Sequence, residues 1–261
     1  MKPIILVTGS SGFLGSYICN ALSDALYSVI GLSRKDCDFT NYNEVKSLFD
    51  RYKYFDFVIH TAIVGGTRGE EDGTKIYIEN LAIFENLFVF RHNYGRFINI
   101  GSGAEFGKRL NNYGKSKLEI FKRLFLYDNF YHIRCFNVFS WNEKATRLIR
   151  YTISSVLNNH PVIILEDKLI DCFYIEDFVK VISYFLSVDD PPREYDCVYE
   201  TKNKASTIAQ KIISFRPAYN ENIKVITESD EHYIGNYIDI GVRFLGLERG
   251  LLSTFKICEH Q

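Results

Sequence analysis

Short apolar runs and amphipathic stretches alternate along the first half of the chain. Residues 4–7 form a compact apolar run of the kind found in buried parallel strands. Residues 16–26 then carry Ile18, Leu22, Ala25 and Leu26 at helical spacing. The same alternation continues with a strand at 28–32, a helix at 43–52 with Val45, Leu48 and Phe49 on one face, and a strand at 55–60. A long helix at 75–92 (Ile76, Ile83, Leu87 and Phe90 inward) follows. After it come a strand at 96–100, a helix at 113–127 and a strand at 131–138. Strands alternating with helices predict an α/β fold with a doubly wound, mostly parallel sheet of Rossmann type.

The second half is less regular. It predicts helices at 145–158, 177–187 and 207–215, strands at 162–165 and 223–227, and helical content at 242–247 and 250–257. Asp189-Asp190-Pro191-Pro192-Arg193 reads as a turn or linker. The expected organisation is a nucleotide-binding domain over 1–165, with 170–188 returning to it. Residues 140–170 and 189–261 then contribute to a smaller substrate-binding lobe.

Composition narrows the partners. The 261 residues are 46% hydrophobic and 24% charged with a formal net charge of −1, as in an ordinary globular protein. No basic stripe stands out, so nucleic acid is not an expected partner. Aromatics reach 15%, and most sit in core patterns rather than in an evident stacking site. The six cysteines are scattered without a paired spacing, which argues against a disulfide framework and a zinc site; no metal is expected. The first strand runs into Gly9 almost at once, leaving no signal-peptide core, and no apolar run approaches the ~20 residues of a membrane span. A cytoplasmic protein with no membrane contact is expected.

Thr8-Gly9-Ser10-Ser11-Gly12-Phe13-Leu14-Gly15 lies between a strand and a helix, the context a dinucleotide fingerprint requires. Gly9 suits a tight turn, Gly12 allows backbone to approach a pyrophosphate, and Gly15 lets the helix pack close. Ser11, Phe13 and Leu14 then border the phosphates at the helix N-terminus. NAD sites place an acid at the end of the second strand; here Ser33-Arg34-Lys35 occupies it. Ser33 and Arg34 suit a 2′-phosphate, which favours NADP over NAD, and Asp38 is placed to hold the adenine amino group. The alternative for Arg34 is a solvated surface side chain, and the phosphate role is the favoured one.

Tyr113 and Lys117 lie four residues apart and share a helix face. A phenol titrates near ~10, and an adjacent ammonium lowers that value, so the pair suits proton donation to a developing alkoxide. Ser102 ends the strand that runs through Phe97-Ile98-Asn99-Ile100-Gly101, at the sheet edge where ligands collect, and can polarise a carbonyl.

Together these residues resemble the extended short-chain dehydrogenase/reductase family, in its NAD(P)-dependent epimerase/dehydratase branch. Further matching segments are Asp56–Ala62, Ser102–Gly107, Arg134-Cys135-Phe136-Asn137-Val138 and Asp171–Asp177. The resemblance spans roughly residues 3 to 185. It implies that Thr61 and Ala62 pass under the cofactor. It also implies that Asn80 has a structural or proton-relay role beside the cofactor, and that Asn137 lies near nicotinamide and substrate. Ile63-Val64-Gly65-Gly66-Thr67 is most similar to nucleotide-sugar 4-ketoreductases of the GDP-fucose synthase type, which places Gly65, Gly66, Gly103 and Ala104 beside the sugar. Their epimerising Cys and His have no counterpart, since Gly103 follows Ser102 and no histidine occurs between His132 and His160. The dehydratases' acid pair is also missing: Glu105 falls one residue late.

The implied reaction is NADPH-dependent reduction of a nucleoside-diphosphate 4-keto-6-deoxyhexose in deoxysugar biosynthesis for surface polysaccharide. The nucleotide end would lie in the C-terminal lobe. Trp141 is placed to stack on the base or to fill the junction of the lobes. Arg147, with Arg150, Lys168 and Arg216 behind it, is placed to meet the pyrophosphate or to remain a surface charge. A 4-epimerase is the enzymatic alternative, and a non-catalytic NADP-binding scaffold the other. The family implies a homodimer.

Overall fold

The computed structural model describes residues 2–22, 26–66, 73–107, 110–220 and 222–261. A six-stranded sheet organises the first part. It consists of β1 (Ile4–Thr8), β2 (Ser28–Leu32), β3 (Phe55–His60), β4 (Tyr94–Ser102), β5 (Phe130–Cys135) and β10 (Glu194–Cys197), in the order β10-β5-β4-β3-β1-β2. β1 pairs in parallel with both β2 and β3, and β3 with β4. Leu6 lies opposite Ile30 on one side and Val58 on the other, and Val58 faces Phe97. The chain winds outward in both directions from β1. The crevice at the carboxyl ends of β1 and β3 is therefore the topological switch point, where ligands bind in such sheets.

The helices connecting these strands are α1 (Phe13–Ala21), α2 (Tyr42–Tyr52), α3 (Thr74–Phe88) and α4 (Asn112–Leu124). Asn41 caps α2 and Asn111 caps α4, each side chain accepting a backbone N–H of the first turn. Burial of Ile5, Leu6, Val7, Val58, Ile59, Phe97 and Ile98 makes the strands apolar on both faces, as helices on both sides require. The aromatic content is largely core: Phe49, Phe55, Phe84, Phe97 and Phe130 are buried together, with Phe49 and Phe90 stacked at 4.5 Å.

By its internal contacts the chain divides into two units, Met1–Arg134 with Ile182–Tyr195, and Cys135–Val181 with Asp196–Gln261. The second contains three two-stranded sheets: β6 (Val138–Phe139) with β9 (Phe173–Tyr174), β7 (Val162–Asp167) with β12 (Ile223–Glu228), and β8 (Leu169–Ile170) with β11 (Asn203–Lys204). It also holds α5 (Leu148–Leu157), α7 (Ala205–Ser214), α8 (Leu247–Glu259) and the first half of α6 (Ile175–Ser187).

Several expected boundaries move. The first helix stops at Ala21 with Leu22 as its C-cap, short of Leu26; Ala25 lies outside the described residues. α3 ends at Phe88 rather than at residue 92, because Phe90, Arg91 and Asn93 donate to carbonyls three residues back and tighten the chain into β4. The strand expected over 131–138 divides. β5 stays in the main sheet, whereas Val138 and Phe139 pair with β9, and the Asn137 side chain between them donates to the Asp171 carbonyl. Residues 242–246 are not helical, and one helix, α8, takes their place further on. β10 was not anticipated. Among the described residues no helix is long and apolar enough to cross a membrane, and no cluster of potential metal ligands occurs.

Candidate active site

The three glycines of the first loop serve three separate geometries. Gly9 has φ +70°, and a Cβ there would lie 2.8 Å from the Ala62 backbone. A Cβ on Gly15 would lie 2.2 Å from the Gly9 carbonyl, so its absence permits the approach of α1 to the loop. Gly12 is the N-cap of α1 and offers no side chain to the first N–H groups of that helix. The donors of the first turn thus face outward from a loop stripped of side-chain bulk, which fits a pyrophosphate. Ser11 is exposed, and Phe13 is half-buried against Tyr17. The Thr61 hydroxyl donates to the Thr8 carbonyl at 2.6 Å, and the Ala62 N–H donates to Thr8 Oγ1, so the segment after β3 is tied to the end of β1. His60 is buried and shares a 2.9 Å hydrogen bond with Thr8 Oγ1. Burial, with the Lys117 charge as a second cause, pushes His60 down to about 3, so this histidine is neutral.

At the end of β2, both donors of Ser33, its N–H and its hydroxyl, go to Asp36 at 2.9 and 2.6 Å. Arg34 is exposed and 3.9 Å from Glu79, a loose pair that a phosphate could displace. Asp38 accepts the N–H and hydroxyl of Thr40 through one oxygen, and its own N–H donates to Glu44.

β4 carries the site across the switch point. Its last residue, Ser102, caps a 3-10 turn (Gly103–Phe106), its hydroxyl accepting the Ala104 N–H at 3.2 Å. The reciprocal half of this capping box comes from Glu105, whose Oε1 accepts the Ser102 N–H at 2.8 Å. Glu105 is buried. Its Oε2 accepts from His132 Nε2 at 2.9 Å and Arg134 Nε at 3.1 Å. Burial pushes the Glu105 carboxyl up, but His132, the Ser102 N–H and Arg134 outweigh it and hold the group below its ordinary value. A Cβ on Gly101 would lie 2.3 Å from His132 Nε2 and 2.6 Å from Glu105 Oε1, so a glycine there makes room for the pair.

Tyr113 and Lys117 project from the same side of α4, with Lys117 Nζ 6.0 Å from the centre of the Tyr113 ring. Lys117 is buried and donates to the Ile100 carbonyl at 2.5 Å, which fixes the ammonium against the strand that ends in Ser102. Gly65 and Gly66 have φ of +81° and +73°, and a Cβ on Gly66 would lie 2.8 Å from Tyr113 Cε2 and Cζ. Gly66 thus lies against the phenol; Thr67 is outside the described residues. Asn80, buried on α3, exchanges two hydrogen bonds with the Val64 backbone and donates to the Ser116 hydroxyl at 3.0 Å. It ties α3, α4 and the segment leading to Gly65 together. Gly103 and Ala104 form the start of the 3-10 turn after Ser102.

In the second unit, Asn137 is held by Asp171, Trp141 is partly exposed, and Arg147 pairs with Glu143 at 3.0 Å. Arg216 donates to the carbonyls of Val156 and Leu157 at the end of α5, and Arg150 to Cys258 Sγ. These two guanidinium groups therefore have structural partners. The sequence pattern does not single out Asn99 or His132, and it marks Arg134 only as part of the segment 134–138. His132 and Arg134 are two residues apart on β5 and so share a face of a buried strand, where polar groups must find partners.

Comparison with known proteins agrees with this architecture. Residues 5–197 match the NAD dependent epimerase/dehydratase family, and the chain belongs to that family. Among curated proteins it is similar to CDP-abequose synthase of Yersinia pseudotuberculosis, 30% identical over 215 residues, covering 71% of this chain and 74% of that protein. Among solved structures, dTDP-4-dehydrorhamnose reductase of Bacillus anthracis in complex with NADP superposes with a TM-score of 0.78 at 18% identity, covering 98% of this chain and all of that one. A GDP-D-glycero-L-gluco-heptose synthase of Campylobacter jejuni, solved in the presence of NADPH, gives 0.80 at 13% identity, covering 100% and 98%.

Proposed function

We propose that this protein is an NADPH-dependent reductase of the 4-keto group of a nucleoside-diphosphate 4-keto-6-deoxyhexose. The observation that supports the reading is the Lys117 ammonium, 6.0 Å from the centre of the Tyr113 ring and bonded to the Ile100 carbonyl two residues before Ser102 on β4. The names of relatives support the substrate class: a CDP-abequose synthase and a dTDP-4-dehydrorhamnose reductase. Arg34 and the absence of an acid at the end of β2 support NADPH as reductant.

When bound, the reduced nicotinamide supplies the hydride. The Ser102 hydroxyl donates to the sugar carbonyl oxygen and steadies the charge that develops there. Tyr113 delivers its phenolic proton to that oxygen. Lys117, held by the Ile100 carbonyl, stabilises the phenolate that Tyr113 becomes. The Gly9–Gly15 loop and the N-terminus of α1 would hold the pyrophosphate. In the second unit, Asn137, Trp141 and Arg147 remain our candidates for contacts with the sugar nucleotide. The enzyme on this reading is cytoplasmic and homodimeric; light scattering of the purified protein tests the dimer.

The decisive assay follows absorbance of the reduced nicotinamide with enzymatically made 4-keto-6-deoxy sugars on GDP, dTDP or CDP. Oxidation with one nucleotide series, lost in Tyr113→Phe, is expected. Interconversion of epimers without net NADPH oxidation would replace this reading with a 4-epimerase. Tight NADPH binding without turnover of any sugar would leave a cofactor-binding scaffold.

A further inference from the structure

A carboxylate buried directly behind Ser102 has no part in the reaction just described. Glu105 is 4% exposed, yet three donors from two strands converge on it: the Ser102 N–H of β4 at 2.8 Å, and from β5 His132 Nε2 at 2.9 Å and Arg134 Nε at 3.1 Å. The network extends on both sides. The Asn99 amide nitrogen lies 2.9 Å from His132 Nδ1, so the imidazole bridges Asn99 on β4 and the Glu105 carboxylate. Arg134 also pairs with Glu194, and its guanidinium lies 4.8 and 4.5 Å from the rings of Phe106 and Phe121. Both ends of the 3-10 turn are thereby gripped, Ser102 through its N–H and Phe106 through its ring. Asn99, three residues before Ser102 on β4, is gripped by the same histidine.

We propose that Glu105, with His132 and Arg134, is a positioning device that sets the Ser102 hydroxyl and the turn behind it for the reacting carbonyl. The inference rests on the reading of Ser102 as the group that polarises that carbonyl. The choice of glutamate follows from the donor count. An amide in its place can accept the Ser102 N–H or the two β5 donors, but not all three, because its other end carries hydrogens. The neutral isostere therefore leaves a donor facing a donor in a buried site, and the turn relaxes to relieve it. Alanine removes both grips together. On either count Ser102 loses its registration with the carbonyl while the glycine loop, which shares none of these bonds, keeps its cofactor geometry.

The test compares Glu105→Gln and Glu105→Ala with wild type and with Val45→Ala, a buried position on α2 remote from the network that reports general destabilisation. The first readout, independent of activity, is amide hydrogen exchange of the segment 100–107. Faster exchange there in both Glu105 variants, with unchanged protection of β1 and normal exchange at 100–107 in Val45→Ala, is expected. The second readout is steady-state reduction. We expect kcat to fall ~10-fold in Glu105→Gln and ~100-fold in Glu105→Ala, on the scale of losing one oxyanion donor, with KM for NADPH within ~3-fold. Unchanged exchange at 100–107 would overturn the proposal, as would wild-type kcat in Glu105→Ala or an equal fall in Val45→Ala. A wild-type enzyme that reduces no 4-keto sugar nucleotide would sink the functional reading instead, and the exchange readout would still decide whether Glu105 holds the turn.

Discussion

Gly66→Ala is the substitution whose effect can be worked most directly from the geometry. Gly66 has φ +73°, and an L side chain in that region costs about 1–2 kcal/mol. The added Cβ would lie 2.8 Å from Cε2 and Cζ of Tyr113, where ordinary contact begins at 3.4 Å. The ring must therefore retreat by at least roughly half an ångström, and Cζ is the atom that bears the phenolic oxygen. Misplacing a reacting group by ~1 Å costs on the order of 100-fold in rate, so a fall in kcat of ~10- to 100-fold is expected. The strain lowers the midpoint of thermal unfolding by roughly 2–8 °C. NADPH affinity, measured by nicotinamide fluorescence, should stay within ~3-fold because the glycine loop is untouched. Gly73→Ala is the control: Gly73 lies at the N-terminus of α3 with φ −65°, and a Cβ there meets nothing within 4 Å. Wild-type kcat in Gly66→Ala would refute the placement of the phenol, and equal losses in Gly73→Ala would show that the effect is not specific to Tyr113.

Two further expectations concern the cofactor and pH. Arg34→Ala should weaken NADPH ~10-fold or more and leave NADH unchanged, since a charge-assisted contact to phosphate is worth about 1.5–3 kcal/mol; equal weakening of both cofactors, measured by titration calorimetry, would remove Arg34 from the 2′-phosphate. His60 is held neutral with a value near 3 in the folded state, against an ordinary 6.5. Its contribution to stability is present above about 6.5 and is lost as pH falls toward 3, amounting to about 2 kcal/mol lost by pH 5. His60→Gln should flatten that part of the urea-midpoint profile between pH 7.5 and 5; parallel profiles for the variant and wild type would contradict it. Glu143, which burial pushes up to about 7 against the opposing Arg147 and Arg150 charges, contributes a slope of opposite sign. The difference between variant and wild type is therefore the quantity to read.

What the sequence made legible is what local geometry alone determines. The glycine loop is of that kind: Gly9, Gly12 and Gly15 answer to backbone constraints within a few residues, and their types announce them. So is the Tyr113–Lys117 pair, because a four-residue spacing on a helix states a shared face without knowledge of anything else. Asn111 caps that helix two residues before Tyr113 and reinforces the phase. The break between β5 and β6 was hidden because Phe136-Asn137-Val138 reads as one extended run. Only the remote pairing of Val138 with Phe173 and the Asn137–Asp171 bond divide it. β10 has four residues, too few for a period, and its place beside β5 depends on the return of α6. The grip of Asp36 on Ser33, three residues away, was within local reach but competes with the phosphate role for which Ser33 was selected.

Glu105 shows how a one-residue offset separates two chemistries. Read against the family's acid pair, it stands one position late. The structure gives that offset a physical meaning. At the third position of the turn that Ser102 caps, a glutamate reaches back to the N–H of its own cap, and the carboxylate is drawn toward β5 instead of being left to a substrate. Its two oxygens are then committed to three donors, and the positions between it and Ser102 hold Gly103 and Ala104, neither of which titrates. The turn therefore supplies hydrogen-bonding geometry and no second base. On the proposed reading, with Tyr113 as the proton donor and Ser102 as the polarising hydroxyl, the site has the groups that carbonyl reduction requires. Dehydration needs a further acid–base group on this turn, and the one carboxylate available there is occupied in holding Ser102.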